Sequence, residues 1–340
     1  MANLLRARSM CPAALMLAGC TLLFPGYARA SYIFQNIVNN GDTAFNQELA
    51  INSAGEIAGY FGDGTIIPNN GYTVVPPYGL ANFTAENFPS GGEVQTQVTG
   101  INNTGDTVGF WVDTTDANHG FTDFGNTFIS YDAPSANPAV PTFTQFLGVN
   151  NLLEVAGFDT EADGNNQAFT FSGGMFTFLT PPNSTSGAAT DVNNSGEVSG
   201  FETSSINGDT YGFLDSGGVF QELLFPGSTF TQFLGLNNTG LVVGVYQDSM
   251  GNNHGLLYNA SNGTWQTEDD PFAVTGPGNG TTINGIDDAG QLVGFYVNAN
   301  GATIGLLANP TPEPAPYIMI GCAALLVGSL RLRKKAPARS

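Results

Sequence analysis

Between residues 31 and 309 the apolar side chains come in short runs, and most runs alternate with polar residues before stopping at a cluster of Asn, Gly, Thr or Asp. In TVGFWVD (107–113), Val108, Phe110 and Val112 fall on one face, the period of two expected of a half-buried strand. No stretch of this region carries a sustained i, i+3, i+4 stripe, so strands are predicted throughout.

One phrase recurs along the chain. INSAGEIAGY at 51, INNTGDTVGF at 101, VNNLLEVAGF at 149, VNNSGEVSGF at 192, LNNTGLVVGV at 236 and IDDAGQLVGF at 286 are spaced by 50, 48, 43, 44 and 50 residues. The heptapeptide TFTQFLG also appears twice without change, at 142–148 and 229–235. A period in the forties built from strands points to propeller blades. The unit around 149 reads as four strands: TFTQFLGVN, EVAGFDT, QAFTFSG and MFTFLTPP. Four strands per repeat is the content of one blade.

The phrase has a local explanation. Asn102, Asn103, Thr104 and Gly105 suit a hairpin closed by a type I turn with a Gly bulge, because Asn tolerates left-handed dihedrals and Gly takes positive φ without a clash. The second Gly of each phrase (Gly59, Gly109, Gly157, Gly200, Gly244, Gly294) lies inside a strand, where it marks the close approach of another backbone. The unit at 149 carries Leu152 and Leu153 at the turn, so an irregular hairpin is expected there.

The ends of the repeat give the count. YIFQNIV (32–38) resembles a fourth strand, and the last unit stops one strand short after TIGLLAN. Moving the first strand into that gap gives an all-β, six-bladed β-propeller of four-stranded blades over 31–309, closed by the N-terminal strand. A β-solenoid is the alternative, although its coils are usually shorter and more regular.

The flanks change character. Residues 1–30 carry Arg6 and Arg8, an apolar stretch and then ARA before Ser31, a pattern that predicts a signal peptide cut between Ala30 and Ser31. LAGC, ending at Cys20, resembles a lipobox and offers lipidation instead, but the apolar run continues past Cys20 and the A-x-A site follows it. Residues 310–340 hold an apolar run, 315–330, followed by Arg331, Arg333, Lys334 and Lys335. The run is short for a spanning helix, and its basic finish is expected to stay cytoplasmic as a stop.

Charge is segregated by the same boundaries. The chain has 8 Lys and Arg against 28 Asp and Glu, and no Lys or Arg lies between Ser31 and Leu330. Nucleic acid is therefore excluded as a partner, whereas divalent cations and neutral ligands fit. All 3 cysteines, Cys11, Cys20 and Cys322, lie in the flanks, so the exported domain has no disulfide and relies on its core.

Candidate chemistry is sparse. His119 and His254 occupy the same slot of two repeats, as structural residues do, and no Cys, Lys or Arg is present between residues 31 and 309 to act as a nucleophile or oxyanion clamp. Paired carboxylates at the propeller mouth remain an alternative, which would make a carbohydrate-active hydrolase. DTEADG places Asp159, Glu161 and Asp163 at alternate positions before Gly164, like the opening of a calcium loop, without the acidic residue that ends a full EF-hand loop. Of the aromatics, Trp265 is the candidate for exposure and stacking on a sugar.

Two resemblances follow from these residues. His119-Gly120-Phe121, Gln167-Ala168-Phe169, Tyr211-Gly212-Phe213, His254-Gly255-Leu256 and Ile304-Gly305-Leu306 resemble the slot that names the extracellular HAF repeat. Pro312, Glu313 and Pro314, with the apolar run and basic finish, resemble the PEP-CTERM sorting signal. That resemblance implies an exosortase as processing partner, loss of the tail, and release or attachment at the surface of an exopolysaccharide-making bacterium. The expected function is a non-catalytic surface or matrix protein that contacts extracellular polysaccharide or envelope components. It needs no cofactor, with calcium as an option, and touches a membrane only through the C-terminal segment before processing. A spacer without a ligand is the remaining possibility.

Overall fold

The computed structural model describes residues 31–89, 91, 93–134 and 143–311. The signal peptide with Ala30 and Cys20, and the sorting signal with Pro312, Glu313, Pro314, the 315–330 run, Arg331, Arg333, Lys334 and Lys335, lie outside them. Residues Tyr32–Thr311 form one compact unit. Among the described residues no helix is long and apolar enough to cross a membrane, and a 3-10 turn at Leu80–Asn82 interrupts an otherwise all-β unit.

Among the described residues there are six antiparallel sheets of four strands. The innermost strands are Asn46–Ile51, Glu93–Ile101, Thr144–Val149, Ser184–Val192, Thr231–Leu236 and Thr281–Ile286, in blades one to six. Each touches the inner strands of the blades before and after it, and the sixth touches the first, which closes the ring of a six-bladed propeller. In the unit around 149 the strands are Thr144–Val149, Val155–Thr160, Asn166–Ser172 and Met175–Phe178, close to the runs read from sequence. The sixth blade takes its outer strand from the N-terminus: Tyr32–Ile37 pairs with Thr303–Pro310 from Tyr32↔Pro310 to Ile37↔Gly305. The predicted closure is thus observed.

The strand glycines do approach backbone closely, but within their own blade. A Cβ on Gly109 would lie 2.0 Å from the Gln97 carbonyl oxygen, and one on Gly244 would lie 1.9 Å from that of Gln232. Each of these carbonyls lies just before a bulge in the inner strand, at Thr99 in blade two and Leu234 in blade five. Crowding between blades near the axis is not the cause.

Contact between blades depends on matched volumes. The middle residue of the His-Ala-Phe slot packs on an inner-strand residue of the next blade: a Cβ on Gly120 would meet Phe146 at 2.8 Å, and one on Gly212 would meet Phe233 at 2.8 Å. The same places hold Gly71 against Val98 and Gly255 against Ile283. Blade three has Ala168 instead, and its partner has shrunk to Ala189 in the same cluster. The last pair, Gly305 against Glu48, places a carboxyl where the other blades put an apolar side chain. Glu48 is fully buried.

Candidate functional site: the ring of turns at the channel mouth

A cavity of about 170 Å³ runs between the inner strands and opens among the repeated turns. Each turn is built as the sequence predicts. In blade two the Gly105 N–H donates to the Asn102 carbonyl, the Asn102 N–H donates to that of Asp106, and Gly105 has φ +82°. The hairpin at 149 is regular after all. Leu153 takes the glycine's place at φ +62° and its N–H donates to the Asn150 carbonyl at 3.2 Å. The surrounding turn holds Leu153 in a left-handed conformation that L-residues resist.

The Asn pair does more than make turns. The first Asn caps its own turn: Asn102 Oδ1 accepts the Thr104 and Asp106 N–H groups at 3.0 Å each. Its Nδ2 reaches across to the next blade. Asn52 donates to the Asn102 carbonyl, Asn102 to that of Asn150, Asn150 to that of Asn193, and Asn237 to that of Asp287, at 2.9–3.3 Å. The second Asn makes a parallel ring in which each backbone N–H donates to the next blade's side-chain oxygen. Ser53 donates to Asn103, Asn103 to Asn151, Asn151 to Asn194, Asn194 to Asn238, and Asn238 to Asp288, at 2.8–2.9 Å. Sequence reasoning found the turn and missed the latch, although a register with Asn recurring at two adjacent places in most blades was the available signal.

Below the mouth the bulge residues alternate around the channel. Leu49, Leu147 and Leu234 line it from blades one, three and five, and Thr99, Thr190 and Asn284 from the others. The polar three bond the next inner strand: Thr99 Oγ1 donates to Phe146 O, Thr190 Oγ1 to Phe233 O, and Asn284 Nδ2 to Glu48 O. Next to the bulge stands Asp191, where four blades have Gly and one has Ala50. Its oxygens accept the Val192 and Leu236 N–H groups at 2.9 Å, linking blades four and five. Burial pushes its pKa up to about 7 against the lowering effect of those two bonds.

The other residues singled out from sequence are spread over the fold. Asp159 is not in a loop. It is buried in the second strand of blade three, Oδ1 accepts from Thr144 at 3.0 Å, and burial pushes its pKa up to about 6. Glu161 is half-buried and Asp163 exposed in the following turn, where Asp163 Oδ1 caps the Asn165 N–H. Among the described residues no three or more His, Cys, Asp or Glu side chains form a metal-holding group. Trp265 is half-buried, tilted against Tyr258 at 4.4 Å between ring centres and packed with Phe225 and Phe233, so it is no open platform.

The histidines stand in matching cassettes. His119 Nδ1 lies 2.7 Å from Asp132 and its Nε2 3.6 Å from Asp113. His254 Nδ1 lies 2.7 Å from Asp269 and its Nε2 3.5 Å from Asp248. Each ring also stacks on an aromatic of the adjacent strand, Trp111 at 4.4 Å and Tyr246 at 5.0 Å. Burial opposes charge on His254, but the Asp269 and Asp248 carboxylates outweigh it and raise the pKa. The clamps in blades two and five match in design, each a histidine set between two aspartates and stacked on an aromatic ring. Glu86 and Asp123 are near neighbours, and burial raises the pKa of each.

No known protein family and no curated protein matches the chain in sequence. Solved structures with a similar fold include a mutant of the Aleuria aurantia lectin AAL in complex with Fucalpha1-6GlcNAc, at 10% identity and TM-score 0.49 over 83% of this chain and 99% of that one. TolB from Acinetobacter baumannii is similar at 11% identity and TM-score 0.46, over 76% of this chain and 64% of that one. A Trypanosoma rangeli sialidase in complex with the inhibitor DANA is similar at 9% identity and TM-score 0.47, over 82% of this chain and 59% of that one. At these values the likeness carries nothing about ligand or activity.

Proposed function

We propose that this is an exported, non-catalytic propeller of the cell surface or extracellular matrix, processed by an exosortase at Pro312-Glu313-Pro314 and engaging extracellular polysaccharide or envelope components. The observation that carries the non-catalytic reading is the mouth itself. Most of its first-position amides and second-position N–H groups are taken up in holding one blade to the next, and the throat behind them alternates Leu with Thr or Asn. A space of about 170 Å³ is below the roughly 300–1,000 Å³ of ordinary small-molecule sites. Recognition of a polymer then falls to the outer surface, which carries acidic side chains and no Lys or Arg. Such a surface suits a neutral polysaccharide, or an anionic one bridged by divalent cations.

Co-sedimentation of residues 31–311 with the host's own exopolysaccharide, in calcium and then in chelator, tests the binding. Pelleting with the polymer is the expected result, and calcium dependence would identify the acidic surface as the contact. No pelleting in either condition would rule out the polysaccharide and leave a spacer.

A further inference from the structure

Both rings of latches fail together at one junction, the seam from blade six to blade one. Asp287 stands where the other five blades have Asn. It keeps half of the Asn role, since Oδ1 accepts the Gln291 N–H at 2.7 Å. It lacks the other half, because a carboxylate has no hydrogen to donate. By the register of the repeat, the group in front of it is the Asn52 carbonyl, itself an acceptor. Asp287 is 4% exposed and its Oδ2 has no hydrogen-bond partner. The second ring stops at the same junction, where Ser53 occupies the place of the latching Asn. The neighbouring Asp288 uses both oxygens on Asn238 and adds a second negative charge to the turn.

By that register two acceptors meet where four of the other junctions set an amide donor before a carbonyl, and where, at the fifth, Asn193 Nδ2 turns to Glu197 Oε2 at 3.3 Å. A buried carboxylate left this way is strongly destabilising unless it takes up a proton or positive charge meets it. No Lys or Arg exists in the unit to supply that charge, and the two histidines are committed elsewhere, each beside its own pair of aspartates. The place borders the channel mouth, which Ser53, Asp287 and Asp288 line, so an ion from solvent can reach it. All the donors are oxygen, the preference of a hard divalent cation such as Ca²⁺, which also tolerates irregular geometry and solvent in its shell.

We propose that the seam is a calcium site: Asp287 Oδ2 and the Asn52 carbonyl bind the ion, Ser53 Oγ and solvent complete its shell, and the ion takes the place of the latch that Asp287 cannot make. The site is distinct from the Asp159–Asp163 segment, and it does not depend on the proposed contact with polysaccharide. It makes the closure of the ring responsive to extracellular calcium.

The test is thermal unfolding of the 31–311 unit in ~5 mM CaCl₂ and in EDTA at one pH, for wild type, Asp287→Asn and Asp163→Asn, with calorimetric titration of CaCl₂. Calcium is expected to raise the wild-type midpoint by roughly 2–5 °C. Asp287→Asn restores the residue of the other five blades and should fold. It is expected to melt above wild type in EDTA and to lose the calcium shift and the titration heat. Asp163→Asn should keep both. An absent shift in wild type, a shift of equal size in Asp287→Asn, or a loss confined to Asp163→Asn overturns the proposal.

Discussion

Replacing Glu48 by Gln should change how the stability of the propeller depends on pH. Glu48 sits in the inner strand of blade one, in the slot filled by Val98, Phe146, Ala189, Phe233 and Ile283 in the other blades. Oε2 accepts from the Tyr72 hydroxyl at 2.6 Å, and Oε1 has no partner. Burial pushes the pKa from 4.5 up to about 8, opposed by the Tyr72 hydrogen bond. The folded protein therefore holds a proton at neutral pH that the unfolded chain has released. This contribution is fully present below pH 4.5 and is lost as pH rises towards 8, the opposite of a salt-bridged carboxylate. A rise from 4.5 to about 8 corresponds to about 5 kcal/mol in full, of which about 3 is already lost at pH 7. Gln is uncharged at every pH and keeps an oxygen for Tyr72. Urea unfolding at pH 5 and pH 8 checks the reasoning. The variant should lie within ~1 kcal/mol of wild type at pH 5 and be more stable by about 3 kcal/mol or more at pH 8. A difference between the two proteins that is the same at both pH values would refute it. Burial also raises Asp191 and Glu202 to about 7 and Asp159 to about 6, so wild type as a whole should be most stable in mild acid.

Three further substitutions test the packing and the turns. Leu153→Gly removes a left-handed Leu that is 39% exposed, and should raise stability by about 1 kcal/mol in a thermal melt. Asn150→Ala removes two turn caps and a bond to the next blade, and should lose roughly 2–3 kcal/mol in urea, whereas Asn151→Ala, which frees only an exposed N–H, should lose less than about 1; equal losses would mean that the first Asn is not the main latch. Gly212→Ala forces a Cβ to within 2.8 Å of the Phe233 ring and should cost about 1–3 kcal/mol by calorimetry.

What the sequence made legible was whatever is local or counted. The period, the four strands per unit and the missing strand supplied by Tyr32–Ile37 all follow from alternation and arithmetic, and all are observed. What escaped it lies between units. The bond from Asn102 to Asn150 joins residues 48 apart, and turn chemistry alone already accounted for the Asn. Gly120 belongs with Phe146 of the next blade, so the Ala168–Ala189 pair makes sense only once the blades stand side by side. Leu153 shows that a well-braced turn can impose positive φ on the wrong residue. The carboxylates misled for a different reason. Asp159, Asp191 and Glu48 look like solvated acids in a chain this acidic, but aligned by register they fall at inward or axial places. In DTEADG the strand ends at Thr160, which leaves Asp159 inside and puts Asp163 in the exposed turn that follows.

The central claim is that a ring of self-engaged turns around a narrow channel makes a propeller without catalytic function. Its most direct test is the molar mass of the host's exopolysaccharide, followed by light scattering during prolonged incubation with residues 31–311 in calcium. The account predicts a polymer bound at unchanged chain length, with no new reducing ends. A falling molar mass, abolished by substituting a carboxylate of this chain, would contradict it.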